Sequence, residues 1–335
     1  MSAVSEPIDG LGRDSTNWAA TALTAIGLWA RRYPVWIFLA AALVFFSLKS
    51  PHFLSVFNLS NILLQAAFFG FLSIGLTLLI ISRNIDLTVG SVAGLAACLA
   101  VGLQPSLGLW LPIAIGLGAG LAIGLLNGFL VERAGIDSFI VTLAGMIGIK
   151  GLAFAFAGEE SISASIDLFN ELGALRIGRI HAIALLFLAL LAIGHYVLKH
   201  TKYGRETYAI GGNRTAAVNA GVRVSRHVII GFAISGLLAA FCGIAMAANM
   251  GAAMPAFGLG YEGWAIAAVV LGGTKLSGGS GRIVNTLGGV LLLASLRNGL
   301  NMIHVPAYYV LVTIGGALIL ALFFDTQFSR KPRQG

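Results

Sequence analysis

Few residues in this sequence have types that could do chemistry, and the most conspicuous are glycines and a lysine near its C-terminal end. GGTKL (Gly272–Leu276) runs into LSGGSGR (Leu276–Arg282). The second stretch reads like the LSGGQ loop with which dimeric ATPases clamp a nucleotide. Such chemistry also needs a phosphate cradle, G-x-x-x-x-G-K-[ST], in which backbone N–H groups and a Lys hold phosphates and a hydroxyl holds magnesium. GGTKL lacks the upstream Gly at that spacing and has Leu276 where Ser or Thr must stand. No other segment comes closer, so LSGGSGR is expected to be a turn between two apolar helices and the chain is expected not to be an enzyme. His181, His195 and His200 show no ligand partners at metal spacing. Cys98 and Cys242 lie in apolar runs and read as small core residues with no disulfide.

The remaining candidates are single ionisable groups inside or beside apolar runs: Asp86 in RNIDLTVG, Lys150 in IGIKGLAF and Glu262 in GYEGWAI. A charge at membrane depth is costly and faces a cavity or a partner. Asn84 and Asp86 therefore suit an inner gate. Asp86 equally suits the cap of the following helix, where a carboxylate meets the positive dipole end. Lys150 reads as path-facing, or as snorkelling or structurally paired. Trp264 reads as facing the path or as an interfacial anchor, and Arg297 as an anchor.

The elements that must position these residues are membrane spans. The chain has 335 residues, 58% hydrophobic and only 10% charged, against about a quarter charged in soluble domains. Its mean hydropathy is +0.91. Ten apolar segments approach the ~20 residues that cross a bilayer: 33–48, 59–81, 87–103, 111–131, 138–157, 180–198, 227–249, 263–274, 283–300 and 306–324. The first and eighth are short, so they extend into their flanks or are partial helices beside a cavity. The fold expected is an all-α polytopic bundle of about ten helices, one transmembrane domain over 33–325. A polar tail (1–32) precedes it and a basic tail (326–335) follows. With both termini cytoplasmic, only Lys49, Arg176 and Arg179 fall outside among the basic residues beyond the spans, as the positive-inside rule requires. The net charge of +8 is then a topology signal, with no nucleic-acid partner implied. No cleaved signal peptide is expected. Gly116, Gly120, Gly124 and Gly128 recur along one face of the fourth span, a helix-packing stripe.

Two longer loops leave room for a partner on each side: 157–179 outside, with four acidic residues, and 199–226 inside, strongly basic. Within the inner loop, GGNRTAAVNAG reads as a short helix. Gly211 and Gly212 allow a sharp entry, Asn213 caps it, and Gly221 ends it in the left-handed conformation. Thr215, Ala216 and Ala217 keep its surface small, which suits close docking in a protein groove.

Four ordered segments carry a family resemblance. RNIDLTVGSVAGLAA (83–97), DSFIVTLAGMIGIKGLAF (137–154), GYEGWAIAAVVLGGTKLSGGSGR (260–282) and NGLNMIHV (298–305), together with the inner loop, resemble the permease subunits of ribose-type bacterial ABC sugar importers. The family's Gly-Gly before Ile is Arg83-Asn84 here, and its Leu-Asp pair is Gly263-Trp264. The resemblance implies a multi-pass inner-membrane protein paired with a second permease subunit, identical or homologous. It implies an ATPase subunit, often with two fused domains, and an external binding protein that delivers the sugar. ATP and magnesium would bind that ATPase, with no cofactor in this chain. Gly211, Gly212, Asn213, Thr215, Ala216, Ala217 and Gly221 would form the coupling helix. On the matched segments Phe139, Thr142 and Asn298 join Asn84, Asp86 and Lys150 as candidates for the translocation path. The alternatives are a branched-chain amino-acid ABC permease and an ion-coupled secondary transporter.

Overall fold

The computed structural model describes residues 34–306, 308–312, 315, 316 and 319. Backbone in a lipid setting must satisfy its own hydrogen bonds, so apolar runs of this length fold as helices. In chain order these are α1 (Pro34–Lys49), α2 (Val56–Ile81), α3 (Val89–Gly102), the single turn α4 (Gln104–Leu107), α5 (Trp110–Glu132), α6 (Ser138–Ala157), α7 (Asp167–Ala174), α8 (Ala182–His200), α9 (Lys202–Gly212), α10 (Arg214–Asn219), α11 (Val224–Met250), α12 (Tyr261–Leu271) and α13 (Ile283–Met302). Four two-residue strands add two antiparallel pairs. β1 (Ile162–Ser163) pairs with β4 (Ala252–Ala253) and ties the loop after α6 to the end of α11. β2 (Arg176–Ile177) pairs with β3 (Ile180–His181).

Among the described residues six helices are long and apolar enough to cross a membrane: α2, α5, α6, α8, α11 and α13. α1, α3 and α12 are shorter apolar helices. The tenth expected span, 306–324, is described only at residues that are helical from 308 to 312 and at 315, 316 and 319. The tails 1–32 and 326–335 lie outside the described residues.

The centre of the bundle is α2 and α11, whose most apolar windows are 89% and 67% buried, whereas α6 is only 22% buried. α11 packs on α5, α3 and α2, and α13 packs on α2, α12 and α1. The glycine stripe explains how close α5 and α11 come. A methyl carbon at Gly120 would stand 2.5 Å from the Gly236 carbonyl oxygen, and one at Gly128 would stand 2.7 Å from the Ile229 Cα. Gly124 faces the Phe232 carbonyl in the same way. Gly124→Leu is therefore expected to force the helices apart, at a cost beyond the about 1–3 kcal/mol of ordinary overpacking. Thermal unfolding in detergent checks this, with Gly118→Leu as control because nothing lies within 4 Å of that site.

Among the described apolar helices, α3 and α12 are the shortest. α3 has 14 residues and α12 has 11, about 21 and 16 Å at the helical rise, against ~30 Å of hydrocarbon. The reason lies in their approaches. Residues 82–88 climb from the end of α2 into the bundle, where Asp86 meets Ser235, eleven residues into α11 and so about 16 Å from its start. Residues 254–260 descend from β4, and Gly258 lies against the backbone of Gly90. The starts of α3 and α12 thus meet inside the protein. The first and eighth segments were expected either to extend into their flanks or to be partial helices beside a cavity. Both are shorter apolar helices, α1 with 16 residues and α12 with 11; α1 packs on α13 through Val35, Leu39 and Leu292, and the third segment, α3, is short as well.

Candidate functional site

At one end of the bundle α9 and α10 fold under the helices. Asn213 is extended (φ −154°, ψ 107°) and its side chain accepts the Ala216 N–H at 3.0 Å. Gly221 is left-handed (φ 81°), and the Val222 N–H closes on the Ala217 carbonyl at 3.0 Å. Both ends of α10 are built as the sequence indicated. Thr215, Ala216 and Val218 are exposed, and Ala217 is the buried foot of the helix, set against Leu79, Ile210, Val224, Val228 and Phe232. Arg214 grips Glu132 at the end of α5 through two bonds, 2.9 and 2.6 Å. Those bonds raise the Arg214 pKa further. Glu132 was not singled out in the sequence; it ends an apolar run like any interfacial acid.

LSGGSGR packs on this same end. Gly278 and Gly279 are left-handed (φ 80° and 73°), and the Gly279 N–H donates to the Ile81 carbonyl at 2.8 Å. Gly211 lies against the same carbonyl with no room for a side chain. Tyr208 donates to the Gly281 carbonyl at 2.8 Å. These glycines are thus taken up by the chain's own backbone. Arg83, where the family resemblance has glycine, is left-handed (φ 65°), a conformation costing a side chain about 1–2 kcal/mol. Its guanidinium offsets this with a 3.1 Å bond to the Gly212 carbonyl. The loop after α2, the α9–α10 pair and the glycine turn, three separate stretches of sequence, form one junction.

Behind it lies a buried polar group. Asp86 is fully buried. Its Oδ1 accepts from the Thr88 N–H (3.0 Å) and Thr88 hydroxyl (2.5 Å), and its Oδ2 from the Ser235 hydroxyl (2.7 Å). Asn127 donates to the Thr88 hydroxyl oxygen at 3.1 Å. The residue at the start of α3 is Thr88, and Asp86 serves that end by accepting the Thr88 N–H. Asn84 turns to the Ser82 carbonyl at 3.0 Å, and Thr142 donates to the Ser138 carbonyl at 2.7 Å and the Ile85 carbonyl at 3.3 Å. Asn298 is elsewhere, in a reciprocal amide pair with Asn58, both bonds 3.0 Å.

Lys150 stands apart from that group. It lines a cavity of about 380 Å³ with Ser91, Phe154, Phe257 and Glu262, where α3 and α12 begin. Its Nζ lies 5.8 Å from the centre of the Phe154 ring. Ser91 donates to the Met146 carbonyl at 2.8 Å. The cavity is an open cleft on the face of α6, a helix that leaves Phe139, Ile140, Ile147 and Leu152 exposed. A carboxylate, an ammonium and two aromatic rings on one cleft suit a small, neutral, hydroxyl-rich solute: the charges hydrogen-bond to hydroxyls and the rings cover its C–H face. Trp264 is not among the residues that line this cavity. It stacks on Phe69 (centroids 5.2 Å), and Arg297 lies 5.8 Å from both rings.

An apolar helical bundle with six helices long enough to span, two short helices meeting at a charged cleft and a capped helix pair at one end fits a multi-pass membrane protein. The family described as "Branched-chain amino acid transport system / permease component" matches residues 58–322. The chain is 36% identical to the ribose import permease protein RbsC of Escherichia coli (strain K12) over 313 residues, covering 89% of this chain and 95% of that protein. It is 39% identical over 293 residues to RbsC of Bacillus subtilis (strain 168), covering 84% and 89%. It is 32% identical over 306 residues to the D-allose transport system permease protein AlsC of Escherichia coli (strain K12), covering 89% and 93%. No solved structure matches. The chain belongs to this permease family, in the branch of ribose-type ABC sugar importers. Members are permease subunits, and the ATPase is a separate subunit.

Proposed function

We propose that this chain carries a sugar or similar small polyol across the bacterial inner membrane, driven by ATP and magnesium bound to a partner ATPase. The observation that supports it most is identity of 32–39% over most of the chain to permeases named for ribose and allose. The fuller reading has about ten spans with both termini cytoplasmic. A second permease subunit completes the path, an external binding protein delivers the cargo, and α10 docks on an ATPase with two fused domains. Lys150, Ser91 and Glu262 form the polar wall of the path, with Phe139 further along the same helix. Asn84, Asp86 and Thr142 hold the short helix α3 behind that wall, and Asn298 braces α13 on α2.

The test is uptake of labelled pentoses and hexoses into proteoliposomes holding the whole transporter. Glu262→Gln and Lys150→Met are each expected to lower uptake about ten- to a hundredfold, the worth of a hydrogen bond to a charged group, with the complex still assembled. Uptake that persists without ATP and collapses with an uncoupler would overturn the reading in favour of an ion-coupled carrier. Uptake of leucine but of no sugar would place the chain with the amino-acid permeases.

A further inference from the structure

Another cavity, about 470 Å³, opens between α9 and the start of α11. Its charged lining is Lys202 and Glu206 of α9, Arg223 just before α11, and Arg226 in the first turn of α11. Glu206, its one carboxylate among the described residues, is already taken up by the chain. Its oxygens lie 3.6 Å from the Lys202 Nζ and 3.4 Å from the Nδ1 of the buried His227. Arg223 and Arg226 are exposed, and among the described residues neither guanidinium has a hydrogen bond, an ion pair or a ring contact. No side chain caps α11, so its positive dipole end adds to the field of the two arginines. Beyond Arg226 the same face of α11 turns apolar. Arg226, Ile230, Ile234 and Leu237 follow at intervals of four, four and three residues, one stripe of a helix. Ile230 is 37% and Leu237 39% exposed, on a helix apolar enough to span a membrane. From Arg226 to Leu237 the helix rises about 16 Å, the depth of one leaflet of a ~30 Å hydrocarbon core. The two arginines then stand at headgroup level, where cations at helix ends settle.

We propose that this cleft seats an anionic phospholipid, its phosphate on Arg223 and Arg226 and an acyl chain along Ile230, Ile234 and Leu237. Basic pockets beside spanning helices suit anionic headgroups. A phosphate dissolved in water would meet the arginines but gain nothing from the stripe, and an acidic loop of a soluble partner cannot follow the stripe to the middle of the bilayer. The site rests on the bundle lying in a membrane and holds for any cargo.

The experiment is native mass spectrometry and thermal unfolding of the purified full-length chain with added phosphatidylglycerol, phosphatidylcholine or glycerol phosphate. Phosphatidylglycerol is expected to be retained and to raise the unfolding temperature, less so as salt rises. The double variant Arg223→Gln/Arg226→Gln is expected to bind it about thirtyfold more weakly, from the contribution of two juxtamembrane cations. Both side chains are exposed, so its unfolding temperature without lipid should stay that of the unmodified protein. Lys49→Gln, which removes an exposed cation at the end of α1 outside this cavity, is expected to bind as the unmodified protein does. Equal retention of phosphatidylcholine, or undiminished binding by the double variant, would overturn the proposal. Equal stabilisation by glycerol phosphate would overturn it in favour of a free anion. A double variant that keeps its lipid but loses the ATPase subunit would overturn it in favour of a protein-docking surface.

Discussion

Asp86→Ala is expected to yield little folded protein. The carboxylate accepts three hydrogen bonds, two from Thr88 and one from Ser235, and its site excludes water. Alanine leaves those donors buried and unpaired, at about 1–3 kcal/mol each. The sum is a large part of the about 5–15 kcal/mol by which a protein is stable. Residues 82–88 would then lose their hold on α11, and α3 would lose its fixed start. The measurement is the fraction of monodisperse protein in mild detergent and its unfolding temperature. Asp86→Asn separates hydrogen bonding from charge. Its amide keeps an acceptor for Thr88 and presents an N–H to Ser235, whose hydroxyl can rotate to accept. Most stability and uptake should survive. An Asp86→Asn protein that is folded but carries nothing would give the charge a place in the path.

The second large effect is expected at Ala217→Trp. Ala217 is 4% exposed and is the residue by which α10 joins the buried cluster of Leu79, Ile210, Val224, Val228 and Phe232. An indole there lifts the helix and shifts the exposed Thr215, Ala216 and Val218. The spanning bundle, anchored elsewhere by α2 and α11, should unfold at nearly the same temperature. What should fall is communication with the ATPase. Coupling free energies of about 1–3 kcal/mol correspond to five- to 150-fold, and sugar-stimulated hydrolysis should drop within that range. Thr215→Ser, which keeps the surface, serves as control. Full stimulation in Ala217→Trp would remove α10 from the coupling role.

Much of this was legible in the sequence because it is local. Val56–Ile81 and Val224–Met250 announce themselves by hydropathy, and α10 by Asn213 and Gly221 at its two ends. What the sequence conceals is depth and distant pairing. VGSVAGLAACLAVG is as apolar as a full span, and only the inward climb of 82–88 makes it short. That climb is held by a bond between residues 149 apart. The partner of Asn298 is Asn58, 240 residues away. Trp264 read as facing the path or as an anchor because its ring partner Phe69 lies far off along the chain. Asn127 was a polar residue in an apolar run, a signal that could have led to Thr88.

The contact between α5 and α11 also bears on how such a protein moves. Helices that slide on one another need a layer of side chains whose rotamers can hop. Here carbonyl oxygens and Cα atoms touch directly at Gly120, Gly124 and Gly236, and there is no such layer to shear. At one end the glycine turn clasps α2 and α9, and at the other β1 and β4 tie the loops that follow α6 and α11. A subunit fastened in this way tilts as one piece. Under the function proposed above, a change in the exposure of the cleft beside Lys150 would then fall at the seam with a second permease subunit, with Arg214 and Glu132, which fasten α10 to α5, as the place where force enters.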